Sequence, residues 1–331
     1  MDAGHEVLYS VPRRDAGPLW ERDPVPGGCA LGGRPIDLHL SALRQMGAVI
    51  SEEGDTLRCA APGGLHGAAV QLPYPSVGAT ENLLIAAAGT PAETKITGAA
   101  AEPEISDLLA YLRGCGALIE SQPDGAILVQ GREALTGCCC HAILPDRIEA
   151  ATYLAAAAIT GGEITVYASP EHLAAPLAAL RRMGCRITTG EQSITLTAPE
   201  HLQGAGSIVT LPYPGFPTDL QAIFMALAAA AEGYTAFTET VFPRRWAHVE
   251  ELRRLGADIT VVGSHAVIRG APLIGSALTC TDLRAGAAVV LAALAAKGES
   301  SVTAISHIER GYADFVSTLR HLGADIYLTE V

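Results

Sequence analysis

Apolar residues recur along this chain in one half-repeat that appears five times. The copies are LSALRQMGAVI ending at Ile50, LLAYLRGCGALI ending at Ile119, LAALRRMGCRI ending at Ile187, VEELRRLGADI ending at Ile259 and VSTLRHLGADI ending at Ile326. Within each, the leucines fall at helical spacing. A glycine (Gly47, Gly116, Gly184, Gly256 or Gly323) then stands where a helix C-cap belongs. A β-branched strand is predicted to follow each one. The period is about 70 residues, long enough for a complete α/β unit.

A second pattern precedes the last four copies: an Ala/Leu helix, a glycine and a short strand. The helices are Asn82–Ala88 before Gly89, Tyr153–Ile159 before Gly161, Ile223–Ala231 before Gly233 and Val289–Lys297 before Gly298. Strands are predicted ahead of them in GAAVQLPYP, CCHAILPD, SIVTLPYP and SALTCTD. Turn signals such as Gln122-Pro123-Asp124-Gly125 divide the second halves. The unit therefore reads βαβαββ. One such unit cannot bury both helix faces, whereas several around a shared axis, helices inside and sheets outside, bury them all. A linear solenoid is the alternative, but the unit is long for one. Compact domains of about three units are expected, and the chain holds four whole units plus a half from about Cys29 to Gly64. The division expected is an unmatched segment 1–25, an incomplete first domain 26–145 and a second domain 146–331.

Composition narrows this picture. The chain has 331 residues, 49% apolar but only 5% aromatic, so small side chains must pack helices closely on sheets. A net charge of −13 argues against a general nucleic-acid or anionic-membrane surface. Residues 1–26 carry charges and prolines throughout, unlike a signal peptide, and the longest apolar runs are too short to span a bilayer. A soluble cytoplasmic protein is expected. Eight cysteines do not imply a disulfide framework in a chain of this size. Cys138-Cys139-Cys140-His141 lacks metal-ligand spacing and reads instead as a buried strand, where cysteine acts as a small hydrophobe.

Candidate chemistry is concentrated in PGGCALGGRPIDLH. Here Cys29 lies among Gly27, Gly28, Gly32 and Gly33, with Arg34 and Asp37 just beyond. Glycines allow the backbone to approach a ligand, and an exposed thiol near fixed positive charge can exchange its proton near neutral pH.

This loop, with LPYPSVGATENLL, AAEPEISD, LPDRIEAATYL, FPTDLQA, ETVFPRRWAHVEEL, CTDLRAGAAVVLA and HIERGY, resembles the UDP-N-acetylglucosamine 1-carboxyvinyltransferase family. The sister shikimate-pathway transferases share the repeated unit but not the Cys loop. The resemblance implies an enolpyruvyl-transferase fold of two inside-out α/β domains, with the active site in the cleft between them. It implies transfer of enolpyruvyl from phosphoenolpyruvate to UDP-N-acetylglucosamine, the committed step of peptidoglycan synthesis, with no metal or organic cofactor. Both substrates are anionic, and the reaction needs charge clamps, an acid for the enol CH₂ and a base for the sugar hydroxyl.

By this resemblance Cys29 is the acid, or assists product release, and is the residue alkylated by fosfomycin. Asp219 accepts the hydroxyl proton; from its sequence context alone it also suits a helix N-cap. Arg34, Arg284 and Arg310 match phosphate and carboxylate clamps, and Arg245, with Arg244 beside it, matches an arginine near them. Pro35, Ile36, Asp37 and Leu38 match a uridine-binding strip, and Ser76, Val77 and Gly78 a diphosphate-holding turn before a helix. Asp282 and Leu283 match the hinge side of the cleft, Val241 lies beside the sugar, and Glu102 and Asp146 match junction acids equally suited to salt bridges.

The family carries a complete first unit ahead of the Cys loop, including a Lys-Asn pair whose lysine contacts phosphoenolpyruvate. MDAGHEVLYSVPRRDAG matches none of it, GPLWERDPVPGG reads as a remnant of the helix and strand that lead into the loop, and the lysines here are Lys95 and Lys297. Ala101 stands before Glu102, where the family commonly has arginine. The helix and sheet faces of the first domain are then expected to be unusually apolar where exposed. Three accounts fit: a coding region that continues upstream, a partner protein that supplies the missing unit, or a catalytically inactive truncated paralogue that binds UDP-sugar or a partner enzyme.

Overall fold

The computed structural model describes residues 21–24, 36–53, 56–138 and 140–329. Its internal contacts divide these residues into two units that meet in sequence between Leu144 and Pro145. The first unit runs β1 (Glu21–Pro24), α1 (Asp37–Gln45), β2 (Val49–Glu53), β3 (Thr56–Ala60), β4 (Ala69–Gln71), α2 (Val77–Ala88), β5 (Glu93–Thr97), α3 (Pro103–Gly114), β6 (Leu118–Ser121) and β7 (Ile127–Gln130). The second begins with α4 (Arg147–Thr160), β8 (Glu163–Val166), α5 (Ala174–Arg182), β9 (Arg186–Thr189), β10 (Ile194–Thr197) and β11 (Gly206–Val209). It continues through α6 (Gln221–Ala230), β12 (Tyr234–Thr238), α7 (His248–Arg254), β13 (Asp258–Val262) and β14 (His265–Arg269). It closes with β15 (Ala277–Thr279), α8 (Leu283–Ala295), β16 (Ser301–Thr303), α9 (Ser306–Glu309) and α10 (Phe315–His321).

The five half-repeat helices, α1, α3, α5, α7 and α10, stop alike. Gly47, Gly116, Gly184, Gly256 and Gly323 have φ of 94°, 97°, 94°, 96° and 100°, the left-handed region in which glycine ends a helix without Cβ strain. Repetition extends to a close approach: a Cβ on Gly131, just past β7, would stand 2.0 Å from the Ala87 carbonyl oxygen of α2. One on Gly270, just past β14, would stand 1.3 Å from that of Ala231 at the end of α6.

Each complete sheet follows one order, β4-β5-β7-β6 and β11-β12-β14-β13, with the opening pair parallel and the rest antiparallel. Along β14 burial alternates: Ala266 and Ile268 face inward while His265, Val267 and Arg269 face solvent. The second unit is inside-out. α4, α6 and α8 pack on one another, and nine of the ten residues of α6 are buried, most of them Ala, Leu, Ile, Phe or Met. Burying each larger side chain contributes roughly 1.5–3 kcal/mol. In the first unit α2 takes the central place, packed by α1 and α3. No residue of α2 is exposed, so the expected apolar exposed helix face is not found there. The buried cysteines act as small hydrophobes, and burial pushes the Cys185 and Cys280 thiols up to about 11. No helix among the described residues is long and apolar enough to cross a membrane.

Two predicted strands are absent. The described part of CCHAILPD, residues 140–146, is neither strand nor buried: Cys140 is exposed, and Ile143 is 80% exposed. A strand exists only as a paired ladder, and β8 pairs with β10 alone among the described residues, with no parallel partner like β4, β11 or β15. The segment is tied to α3 instead. His141 Nε2 lies 3.0 Å from Asp107 and its ring meets Tyr111 edge-on, while Thr136 bonds the Cys115 carbonyl. Likewise residues 324–329, after Gly323, form no strand, because nothing described pairs with them.

Candidate functional site

The candidate residues fall in both units. In the first, Ile36 and Leu38 are half-buried and Asp37 is exposed at the start of α1. Ser76 caps α2 in extended conformation, its Oγ accepting from the Ala79 N–H at 3.4 Å. The Ser76 carbonyl accepts from Thr80 Oγ1 at 2.8 Å, and that hydroxyl in turn accepts from the Ala100 N–H at 3.0 Å, bracing the turn. The two segments meet: His39 Nδ1 lies 2.7 Å from Asn82 Nδ2, and the His39 ring lies against Gly78 so closely that a Cβ there would stand 3.1 Å from Cε1. Glu102 is buried at the start of α3; burial, then Glu104 and Glu102, raise the Glu81 carboxyl.

In the second unit Asp219 lies in a 3-10 turn, Thr218–Leu220, just ahead of α6. It caps no helix, contrary to the sequence alternative, because its Oδ1 instead accepts from the Arg245 guanidinium at 2.8 Å. Arg245 is 5% exposed and also donates to Thr218 Oγ1 at 3.0 Å. Crowding by protein atoms pushes the Asp219 carboxyl up, but Arg245, Arg284 and Arg147 outweigh it and hold it below the usual carboxylate range. It is therefore ionised at neutral pH.

Arg284 stands in the first turn of α8, its guanidinium 5.3 Å from the centre of the Tyr312 ring and one terminal nitrogen buried without a hydrogen bond. Burial works against its charge, but Tyr312 and Asp219 more than restore it. Asp282 is buried and serves as the cap of that helix, its Oδ1 accepting from the N–H groups of Arg284 and Ala285, both at 2.9 Å. Leu283 packs on Gly311, where a Cβ would stand 2.8 Å from its Cδ2. The HIERGY segment thus abuts the start of α8, with Arg310 exposed beside Gly311. Asp146 caps α4 as Asp282 caps α8, accepting from Ile148 and Glu149 at 2.7 and 3.0 Å. Val241 is held by its N–H donating to Glu239 Oε1 at 2.9 Å.

Cys29, Arg34 and Pro35 lie outside the described residues. The structure brings Asp219, Arg245 and Arg284 into one charged cluster, and packs α1 on α2 with His39 against Gly78. It adds residues that no sequence pattern singles out. Arg147, buried and 5.9 Å over the Tyr213 ring, joins the Asp219 cluster. Glu239, fully buried, accepts from Thr210, Thr218, Val241 and Phe242 and so fixes the loop around Arg245. Both sit inside the family-like motifs, Arg147 in LPDRIEAATYL and Glu239 in ETVFPRRWAHVEEL, and membership of those motifs was the available signal.

The family model described as EPSP synthase (3-phosphoshikimate 1-carboxyvinyltransferase) matches residues 22–319. A relative from Symbiobacterium thermophilum named UDP-N-acetylglucosamine 1-carboxyvinyltransferase 1 is 48% identical over 307 residues, covering 92% of this chain and 69% of that protein. The chain belongs to the UDP-N-acetylglucosamine 1-carboxyvinyltransferase family. Another such carboxyvinyltransferase, from Gluconacetobacter diazotrophicus, is 46% identical over 92% of this chain and 73% of its own. Among solved structures, the enolpyruvyl transferase NikO from Streptomyces tendae superposes with a TM-score of 0.80 at 26% identity, covering 89% of this chain and 72% of its own. EPSP synthase from Acinetobacter baumannii shares the fold, with a TM-score of 0.66 at 20% identity over 93% of this chain and 75% of its own. The chain is thus an enolpyruvyl transferase by family, with the family's mixed α/β fold.

Proposed function

We propose that this carboxyvinyltransferase moves enolpyruvyl from phosphoenolpyruvate to the 3-hydroxyl of UDP-N-acetylglucosamine with release of phosphate, in the cytoplasm, as the committed step of peptidoglycan synthesis. The observation that carries the reading is the ionised Asp219 within a cluster of three arginines, in a chain nearly half identical to enzymes of that name. Asp219 takes the hydroxyl proton as the sugar oxygen attacks C2 of the enol. Cys29 delivers a proton to the CH₂ carbon, making a methyl group. Loss of a methyl proton with the phosphate leaving group then restores the double bond. Arg284, Arg310 and Arg34 hold the phosphate and carboxylate, and Arg245 fixes Asp219. The uridine rests on Pro35, Ile36, Asp37 and Leu38, the diphosphate on Ser76, Val77 and Gly78, and Val241 borders the sugar. Asp282 and Leu283 set the start of α8 and so aim Arg284.

The test is phosphate release by the chain alone. Release that requires both substrates, and is lost in Cys29→Ser and Asp219→Asn, supports the reading and removes the need for a protein partner. Calorimetric binding of UDP-N-acetylglucosamine by folded protein with no release would replace it with nucleotide-sugar binding alone.

A further inference from the structure

Arg284 keeps its charge in a place where burial works against it, and one of its terminal nitrogens is buried without a hydrogen bond. A guanidinium is a rigid fork, so its use as a clamp depends on which way the fork points. Tyr312 supplies a fixed surface for it. That side chain is 1% exposed, with its ring centre 5.3 Å from the guanidinium carbon and its phenol hydrogen-bonded to the same group. Phe315 packs on the Tyr312 ring at 5.0 Å between centroids, and Leu283 closes on Gly311 beside it, so the ring has one place to sit.

Valence fixes the direction of each hydrogen bond behind that ring. Thr152 Oγ1 lies 2.8 Å from the Ile148 carbonyl oxygen and 2.9 Å from the Tyr312 phenol oxygen. A carbonyl only accepts, so the single hydroxyl proton of Thr152 goes to Ile148. Tyr312 therefore donates to Thr152, and its oxygen turns its lone pairs to Arg284. Burial holds the proton on the phenol, outweighing the pull of Arg284, so this donor persists. Thr152 is fully buried too, and neither hydroxyl has water to turn to. The result is a chain of one polarity, from Arg284 to Tyr312 to Thr152 to the Ile148 carbonyl. It runs from the first turn of α8, through the residues after α9, to the first two turns of α4. In a buried chain of this kind each bond polarises the next.

We propose that Tyr312 and Thr152 are positioning residues for Arg284, and that the chain anchored on α4 aims its guanidinium at the anionic end of phosphoenolpyruvate. This rests on the reading of Arg284 as a clamp. The buried nitrogen without a partner is then the donor kept open for an oxygen of that substrate.

Steady-state kinetics on the full chain tests it. Tyr312→Phe keeps the ring and removes the oxygen. It is expected to raise KM for phosphoenolpyruvate about tenfold, with kcat within about threefold and KM for UDP-N-acetylglucosamine within about twofold. Thr152→Val is expected to raise the first KM about threefold, and Thr152→Ser, which keeps the hydroxyl, to leave it at the wild-type value. Because the chain is serial, the variant carrying both Tyr312→Phe and Thr152→Val is expected to be no worse than Tyr312→Phe alone. Losses that multiply in the double variant, losses that fall equally on both substrates, or wild-type kinetics in Tyr312→Phe overturn the proposal. A wild type that releases no phosphate, or an Arg284→Met variant with unchanged phosphoenolpyruvate kinetics, breaks the clamp reading beneath it instead.

Discussion

The first turns of α2 and α8 occupy the same place in the repeated unit and are dressed in opposite ways. At α8 the Asp282 carboxylate takes two backbone N–H groups at 2.9 Å, and Arg284 beside it carries the positive charge. At α4 the pair recurs as Asp146 and Arg147. At α2 the cap is a hydroxyl at 3.4 Å from its donor, no charged side chain lies in the first turn, and the His39 imidazole leans on Gly78. A carboxylate cap takes the backbone donors out of play and hands anion binding to a guanidinium. A weak hydroxyl cap leaves the backbone in play. The first arrangement suits a centre where charge moves during reaction; the second suits a spectator anion that is held and not changed.

Replacing Asp219, the proposed base, is the most severe test of that contrast. Asp219→Asn is expected to cut phosphate release about 10²–10⁴-fold while UDP affinity stays within about twofold. Equal losses in both would erase the division of labour. Next, Arg284→Met is expected to lower kcat/KM roughly 100-fold. Because Arg284 helps to hold the Asp219 carboxyl down, its removal raises that carboxyl, so the acid limb of the pH–rate profile moves to higher pH. A limb that stays put would separate Arg284 from Asp219.

The interior of the second unit carries its own pH signature. His248 is 1% exposed, and burial, then Arg245, push its imidazole from 6.5 down to about 3. The unfolded chain binds that proton first, so full stability holds above pH 6.5 and drains away as pH falls toward 3. The loss by pH 4.5 is on the order of 3 kcal/mol. Urea midpoints at pH 7 and 4.5 should show it, and His248→Leu should flatten the difference. The smallest effects concern the caps: Asp282→Ala is expected to cost about 1–2 kcal/mol, Ser76→Ala less than about 0.5. Equal costs at the two positions would mean that the caps are alike.

Much of the architecture is legible in local pattern. Five glycines at helix ends, the helices between them and the βαβαββ order all follow from it, since a C-cap and an amphipathic period are properties of neighbouring residues. CCHAILPD shows where such reading stops. Its apolar run suits a strand, but strands are made by partners, and among the described residues β8 pairs with β10 alone. Asp219 shows it again. Pro-Thr-Asp before a helix reads as a cap, and a buried arginine 26 positions later claims the carboxylate instead. His39 ends the Cys-loop stretch, but its contacts with Asn82 and Gly78, 43 and 39 positions away, are made only by the fold.

The repeat, the family and the kinds of charge at each helix start can be read from the residues alone, because they are written in short, nearly contiguous runs. Which carboxylates cap helices and which one faces arginines emerges only in the folded chain. Those outcomes depend on distances between residues far apart in the chain, and a hydrogen bond or a Coulomb interaction responds to separation in space, whatever the separation in sequence.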